Sequence, residues 1–381
     1  MYFTEEHNLF RSSMRDFLAK EATPFIDRWE EAGELPRDIY KQFGEMGYFG
    51  LMQPETHGGL DLDLWFTVIL LEEMPRVNSG GFGAALCAHA YLALTHLKAA
   101  GSEAQKEKYL SPGIKGEKIG CLAITEPSGG SDVQSLRTTA KKEGDYYIVN
   151  GSKTFITNGV NSDYIIAAVK TDSTKKGNGI SMLIIDRETP GVSATKLKKL
   201  GWKASDTGEI AFDDVHVPVS NLLGDEGAGF TYIMQHFVLE RLILAIGGYA
   251  LAEYALEVTL KYMSEREAFG RPLNKFQELR HRIAQMASEI EMNKQFTYTV
   301  CRDFQNGEYP VKEAAMAKLL CTELSDKVTN DCLQMFGGYG YMEDYPIARM
   351  WRDSRLGPIG GGTSEIMRGI IAKMVIDGRN Y

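Results

Sequence analysis

A single carboxylate, Glu240, interrupts an otherwise apolar helical stripe. At about 100° per residue, Ile233, Phe237, Glu240 and Leu244 fall on one face, and Met234, Val238, Leu239, Leu242 and Ile243 keep the surrounding helix apolar. An ionised carboxylate is costly to bury alone. Glu240 therefore reads either as half of a structural ion pair, with a distant Arg or with Arg241, or as an acid–base group. A second constellation is Phe155-Ile156-Thr157. On a strand, Phe155 and Thr157 share a face, which sets an aromatic plane beside a hydroxyl donor. That pairing suits a planar heteroaromatic ring; the plainer reading is an amphipathic strand with a core Phe. Two glycine runs, Ser128-Gly129-Gly130-Ser131-Asp132 and Gly360-Gly361-Gly362-Thr363, let backbone N–H groups approach an anion. The second opens a helix capped by Thr363, where the dipole adds to the attraction. As plain structure, the two runs are a surface turn and a flexible loop.

Three successive regions must hold these residues, and together they predict an α+β multidomain chain. Residues 1–118 read as an N-terminal helical domain, with Thr4 as an N-cap and Leu9, Met14, Phe17 and Leu18 at helical spacing. Residues 119–228 read as a middle β domain, a barrel or sandwich, because short apolar runs alternate there with turns. Within it, Asn150-Gly151 predicts a hairpin between 146–149 and 154–157, and further strands are predicted at 164–169, 180–185 and 209–212. Residues 229–381 read as a C-terminal domain resembling a four-helix bundle, with helices at 230–263, 276–303, 311–336 and 363–376. Lys175-Lys176 and Lys198-Lys199 read as solvated charge runs, and His89 and His96 as satisfied structural histidines.

The strings Ala123-Ile124-Thr125-Glu126-Pro127-Ser128-Gly129-Gly130-Ser131-Asp132 and Phe155-Ile156-Thr157-Asn158-Gly159 resemble the flavin-contacting segments of acyl-CoA dehydrogenases. The resemblance extends over essentially the whole chain. It implies an FAD enzyme that desaturates a fatty acyl-CoA to trans-2-enoyl-CoA and passes electrons to an electron-transfer flavoprotein. On it, Leu122, Ile124, Thr125, Gly130, Ser131, Phe155, Ile156 and Thr157 contact the flavin, with Thr157 donating to N5. Arg266, Phe269, Gln277, Gln334, Gly337 and Gly338 reach the FAD of a neighbouring subunit, which implies a homotetramer. On the same resemblance, Thr363 and Glu365 approach the phosphate and adenosine region of the flavin, without assignment to a neighbouring subunit. Ser131, Arg241, Leu244, Gly360, Gly361 and Gly362 line the substrate. Most members carry their catalytic Glu at the position of Gly361. Here Val238-Leu239-Glu240-Arg241-Leu242 instead resembles the segment that carries the base in long-chain and isovaleryl members, so Glu240 is the expected base.

The chain has 381 residues and a formal net charge of −9, which opposes broad nucleic-acid binding. Residues 65–71 are too short an apolar run to span a bilayer, and no secretory pattern opens the chain, so a bacterial cytoplasmic protein is expected. The five cysteines form no C-x-x-C pair, and the seven histidines show no ligand spacing, so neither a disulfide framework nor a metal is expected. Two alternatives are an acyl-CoA oxidase, opposed by the compact length, and a non-catalytic flavin- or DNA-binding relative, opposed by the charge and by Glu240. Acyl-chain length is left open between long-chain and short branched substrates.

Overall fold

A computed structural model describes residues 2–175 and 177–378. The expected outer domain limits, 1 and 381, and Lys176 lie outside these residues. Helices come first: α1 (Glu5–Phe17), α2 (Ile26–Ala32), α3 (Arg37–Glu45), α4 (Leu64–Glu73), α5 (Gly80–Cys87), α6 (Leu94–Ala100), α7 (Glu103–Gln105) and α8 (Ser111–Ile114). Thr4 caps α1 by accepting the His7 N–H, and the His7 ring returns a bond to the Thr4 N–H, a capping box closed by His in place of the usual Glu or Gln. A π-helical segment, Ala88–Ala93, joins α5 to α6.

Eight strands follow: β1 (Gly120–Ala123), β2 (Thr139–Glu143), β3 (Tyr146–Thr157), β4 (Tyr164–Lys170), β5 (Ile180–Asp186), β6 (Val192–Lys196), β7 (Thr207–Pro218) and β8 (Leu222–Leu223). They form one sheet in the order β6-β7-β3-β2-β4-β5-β8, with β1 added parallel to β4. Its core is built from Tyr147, Val149, Ile156, Ile165, Leu183, Ile210 and Val215.

The Asn150-Gly151 hairpin is not formed. β3 runs straight through it, and the register against β7 shifts between Val149 and Gly151. Gly151 takes φ +142°, and the Asn150 side chain exchanges hydrogen bonds with Asp214 on β7, so the pair serves a β-bulge. The turn lies earlier, at Gly144 (φ +59°), between β2 and β3. Lys199 departs from the expected solvated run as well. Its ammonium donates to the Ser205 carbonyl, the Ser205 hydroxyl and the Thr207 hydroxyl, and burial lowers its pKa to about 8.

The C-terminal region is helical again: α9 (Gly229–Glu265), α10 (Gln277–Gln305), α11 (Val311–Phe336), α12 (Pro346–Ser354) and α13 (Ser364–Ile376). The helix at 363–376 begins one residue later than expected because Thr363 is its N-cap, accepting the Ile366 N–H. α9 and α11 make the broadest helix–helix contact. By length and composition α9 could cross a membrane, but about half of its most apolar window is buried inside the fold.

Candidate active site

Glu240 lies on α9 with Oε1 buried and unbonded among the described residues. Burial raises its pKa to about 7, opposed by the positive charge of Arg241. Arg241 is not turned to solvent, as the ion-pair reading with an outward Arg required. It is 4% exposed, and its guanidinium sits 5.2 Å over the Phe237 ring.

The glycine run before α13 meets α9 one turn further on. Gly361 and Gly362 take φ of +63° and +93°, conformations that disfavour side chains. A β-carbon on Gly361 would stand 2.3 Å from Leu244 Cδ1. The fully buried Lys318 on α11 donates to the Gly362 carbonyl at 2.7 Å. Burial first, and Arg241 next, lower its pKa to about 8. Lys318 was not expected from the sequence. Its signal was a lone Lys within Ala315-Met316-Ala317-Lys318-Leu319-Leu320, a setting as apolar as that of Glu240.

On the sheet side, two runs distant in sequence become neighbours. The Thr154 N–H donates to the Thr125 carbonyl at 2.9 Å, joining the strand that carries Phe155 and Thr157 to the loop after β1. Beneath this junction Lys153 and Glu126 form a buried ion pair at 2.8 Å, with side-chain exposures of 0% and 3%. Glu126 also accepts the Arg137 and Thr138 N–H groups, which folds the Gly129-Gly130 loop back on itself. Glu126 is held below the usual carboxylate range despite its burial, through Lys153 and these N–H donors. Phe155 is 70% exposed at φ +60°, at an irregularity where the β3–β7 register shifts between Lys153 and Ile156, so the regular alternation expected across Phe155 and Thr157 is interrupted; Ile156 is buried and Thr157 half-buried. Leu122 and Ile124 pack half-buried against the main core, whereas Gly130 and Ser131 are exposed.

The third group of predicted residues is elsewhere. Arg266, Gln334, Gly337 and Gly338 line an open concavity with Tyr262, Tyr339 and Met342, and the Arg266 guanidinium lies 5.2 Å from the Tyr339 ring centroid. Phe269 projects nearby on its β-turn, 96% exposed, with Gln277 at the start of α10. Glu365, exposed on the first turn of α13, belongs with Thr363 rather than with this concavity.

An apolar cavity of about 140 Å³ opens beside Leu244, between α9 and the α4–α5 segment. Neither the predicted ring-facing residues Thr125, Phe155 and Thr157 nor the concavity at Arg266 contributes to its wall.

Residues 4–117, 121–215 and 227–376 match the family models for the N-terminal, middle and C-terminal domains of acyl-CoA dehydrogenase. The chain is 38% identical over 377 residues to the long-chain specific acyl-CoA dehydrogenase of Sus scrofa, covering 98% of this chain and 87% of that protein. It is also 38% identical to the isovaleryl-CoA dehydrogenase of Oryza sativa subsp. japonica, covering 98% and 92%. An acyl-CoA dehydrogenase structure from Geobacillus kaustophilus superposes with a TM-score of 0.96 at 42% identity, covering 98% of this chain and 99% of that one.

Proposed function

The chain belongs to the acyl-CoA dehydrogenase family, and on that premise we propose that it binds FAD and desaturates an acyl-CoA between Cα and Cβ, giving the trans-2-enoyl-CoA. The observation that carries this reading is Glu240: a carboxylate with an unbonded buried oxygen and a pKa near 7, one helical turn from the loop at Gly361. Bound FAD would supply the acceptor for the β-hydride and its electron pair.

The chain's own residues do the rest. Glu240 takes the α-proton, which is poorly acidic unless charge developing on the thioester oxygen is stabilised. The Gly361 N–H, on a loop held by Lys318, is the proposed donor to that oxygen. Phe155, Thr157, Thr125 and the Gly130-Ser131 turn fit a flavin: an exposed aromatic plane, two hydroxyls and an exposed glycine-bearing turn lie on adjoining segments. Arg266, Gln334, Gly337 and Gly338 fit an anionic, ring-bearing group, and we assign them, with Phe269 and Gln277, to the FAD of a neighbouring subunit in a homotetramer. Thr363 and Glu365 are assigned to the phosphate and adenosine region of FAD, and Ser131, Arg241 and Gly360 to the CoA thioester. An electron-transfer flavoprotein is the proposed acceptor of the electrons, the cytoplasm the proposed compartment, and 118/119 and 228/229 the proposed domain limits.

The test is a yellow protein bleached anaerobically by acyl-CoA. Glu240→Gln should fold and hold flavin but bleach at least about 10³-fold more slowly, in the range expected for loss of a general base. Bleaching at the wild-type rate would remove Glu240 from this role.

A further inference from the structure

The β6–β7 connection, residues 197–206, is clasped by carboxylates from two helical regions. On α12, Asp353 accepts the Trp202 N–H at 2.6 Å with one oxygen and the Gly80 N–H, at the start of α5, at 2.8 Å with the other. On α2, Glu30 accepts the Ala204 N–H at 3.0 Å and the Ser79 hydroxyl at 2.6 Å. Both carboxylates are buried, at 3% and 8% exposure. Arg349 on α12 donates to Asp27 on α2 at 2.6 Å and to the Asn78 carbonyl in the turn before α5. The clasp therefore joins the N-terminal, middle and C-terminal regions.

The loop is pressed tightly between its neighbours. A β-carbon on Gly201 would stand 2.6 Å from Asp353 Oδ1, and one on Gly81 would stand 2.7 Å from the Ala204 nitrogen. Trp202 takes φ +52°, a left-handed conformation unfavourable for a side chain of its size. Such a conformation persists where surrounding contacts over-determine it, and the bond from the Trp202 N–H to Asp353 is one of them. Burial, and the Glu30 charge next, raise the Asp353 pKa to about 6, opposed by the bonds from Trp202 and Gly80.

The loop runs directly into the end of β3. The carbonyl of its last residue, Asp206, accepts the Asn158 N–H at 3.2 Å. The Asp206 carboxylate accepts the Val160 N–H at 2.7 Å and the Asn161 N–H at 3.3 Å. The next residue, Thr207, is the register partner of Thr157, and Gly208 is that of Ile156. Beyond the register shift between Lys153 and Ile156, only these two pairs continue the β3–β7 ladder. From the helical side, the Asn158 side chain donates to the Ala85 carbonyl and accepts the Tyr40 hydroxyl. Thr157 is thus fixed between the N-terminal helices and the clasped loop.

We propose that Asp353 is a positioning residue for the end of β3, acting through the 197–206 loop on Thr157. This rests on the flavin reading above, in which Thr157 meets the cofactor. A carboxylate in the C-terminal region sets a contact made by the middle region, and the Asp206 bonds carry the constraint.

Hydrogen exchange and the visible flavin spectrum of the purified full-length protein test this, for wild type, Asp353→Ala and Asp353→Asn. The expected result for Asp353→Ala is exchange at least about 10-fold faster over 157–161 and 199–206, with 164–170 on β4 unchanged within about 2-fold. The flavin band should move toward that of free FAD, which a purely structural role would leave in place. Asp353→Asn keeps one acceptor oxygen. It should shift both readouts the same way by less, and it carries the test if the alanine variant fails to fold. Faster exchange confined to 199–206, or a flavin band unmoved, would overturn the proposal and leave the flavin reading standing. Equal acceleration over 164–170 would overturn it too, as a general loss of stability. A wild-type protein that holds no flavin as purified and takes none up from added FAD would overturn both.

Discussion

Leu244 Cδ1 occupies the space that a side chain on Gly361 would need, 2.3 Å from its β-carbon position. The two residues lie 117 positions apart, on α9 and on the loop before α13. One turn of α9 thus carries both a carboxylate, Glu240, and the side chain, Leu244, that crowds the side-chain position of 361.

Restoring a carboxylate at 361 should therefore fail on its own. Gly361→Glu meets Leu244 and a φ of +63°, and should cost ~1–3 kcal/mol. Adding Leu244→Gly should recover the steric part but not the backbone part. Thermal melts of the single and double variants check this; a single variant as stable as wild type would show that the loop yields freely.

The pH dependence follows from Glu240. Its carboxylate form is the proposed base, and its pKa is raised from 4.5 to about 7. With substrate, kcat/KM should fall about tenfold per pH unit below that value. Stability runs the other way. Between 4.5 and about 7 the folded protein keeps a proton that the unfolded chain has lost, so the contribution of this group is complete below 4.5 and declines as pH rises to about 7. Glu240→Gln should abolish that decline. Chemical denaturation of both proteins at pH 5 and pH 8 gives the comparison, and equal pH slopes would contradict it.

Lys153 and Glu126 support the Gly129-Gly130 loop without facing outward themselves. Lys153→Met leaves Glu126 buried with its backbone donors but no cation, and should cost ~3–5 kcal/mol. The double variant Lys153→Met/Glu126→Leu should be more stable than the single variant but still hold flavin less tightly, because the Arg137 and Thr138 N–H groups lose their acceptor. Melting temperature and the 450 nm absorbance after gel filtration separate the two effects.

Lys318 holds the Gly362 carbonyl and so the height of the Gly361 N–H above the site. Lys318→Met should cost ~1–3 kcal/mol by leaving that half-buried carbonyl without its donor. It should also lower kcat more than it alters KM, since the displaced N–H is proposed to act on charge that develops during reaction. A change in KM alone would limit Lys318 to ground-state binding.

Phe269 is 96% exposed at φ +52°, beside the concavity at Arg266. Phe269→Asn keeps a residue that tolerates this backbone conformation while removing the ring. It should shift the assembly toward smaller species in analytical ultracentrifugation and lower bound FAD at least about tenfold in affinity. An unchanged sedimentation profile would count against a neighbouring subunit at this site.

The alternation of helical and strand periods was enough to read the helix–sheet–helix order, because burying one face imposes a period on each element. Glu240 was legible for the same reason: a charge stands out when its neighbours on the wheel are apolar. The departure at Gly361 was visible as a missing carboxylate. The Asn150-Gly151 bulge was not, since the same dipeptide serves a tight turn or an extra residue in a continuous strand, and only the pairing of β3 with β7 decides between them. The bond from Lys318 to the Gly362 carbonyl, the Lys153–Glu126 pair and the Leu244–Gly361 contact join segments tens of residues apart or more, for which sequence periodicity carries no signal.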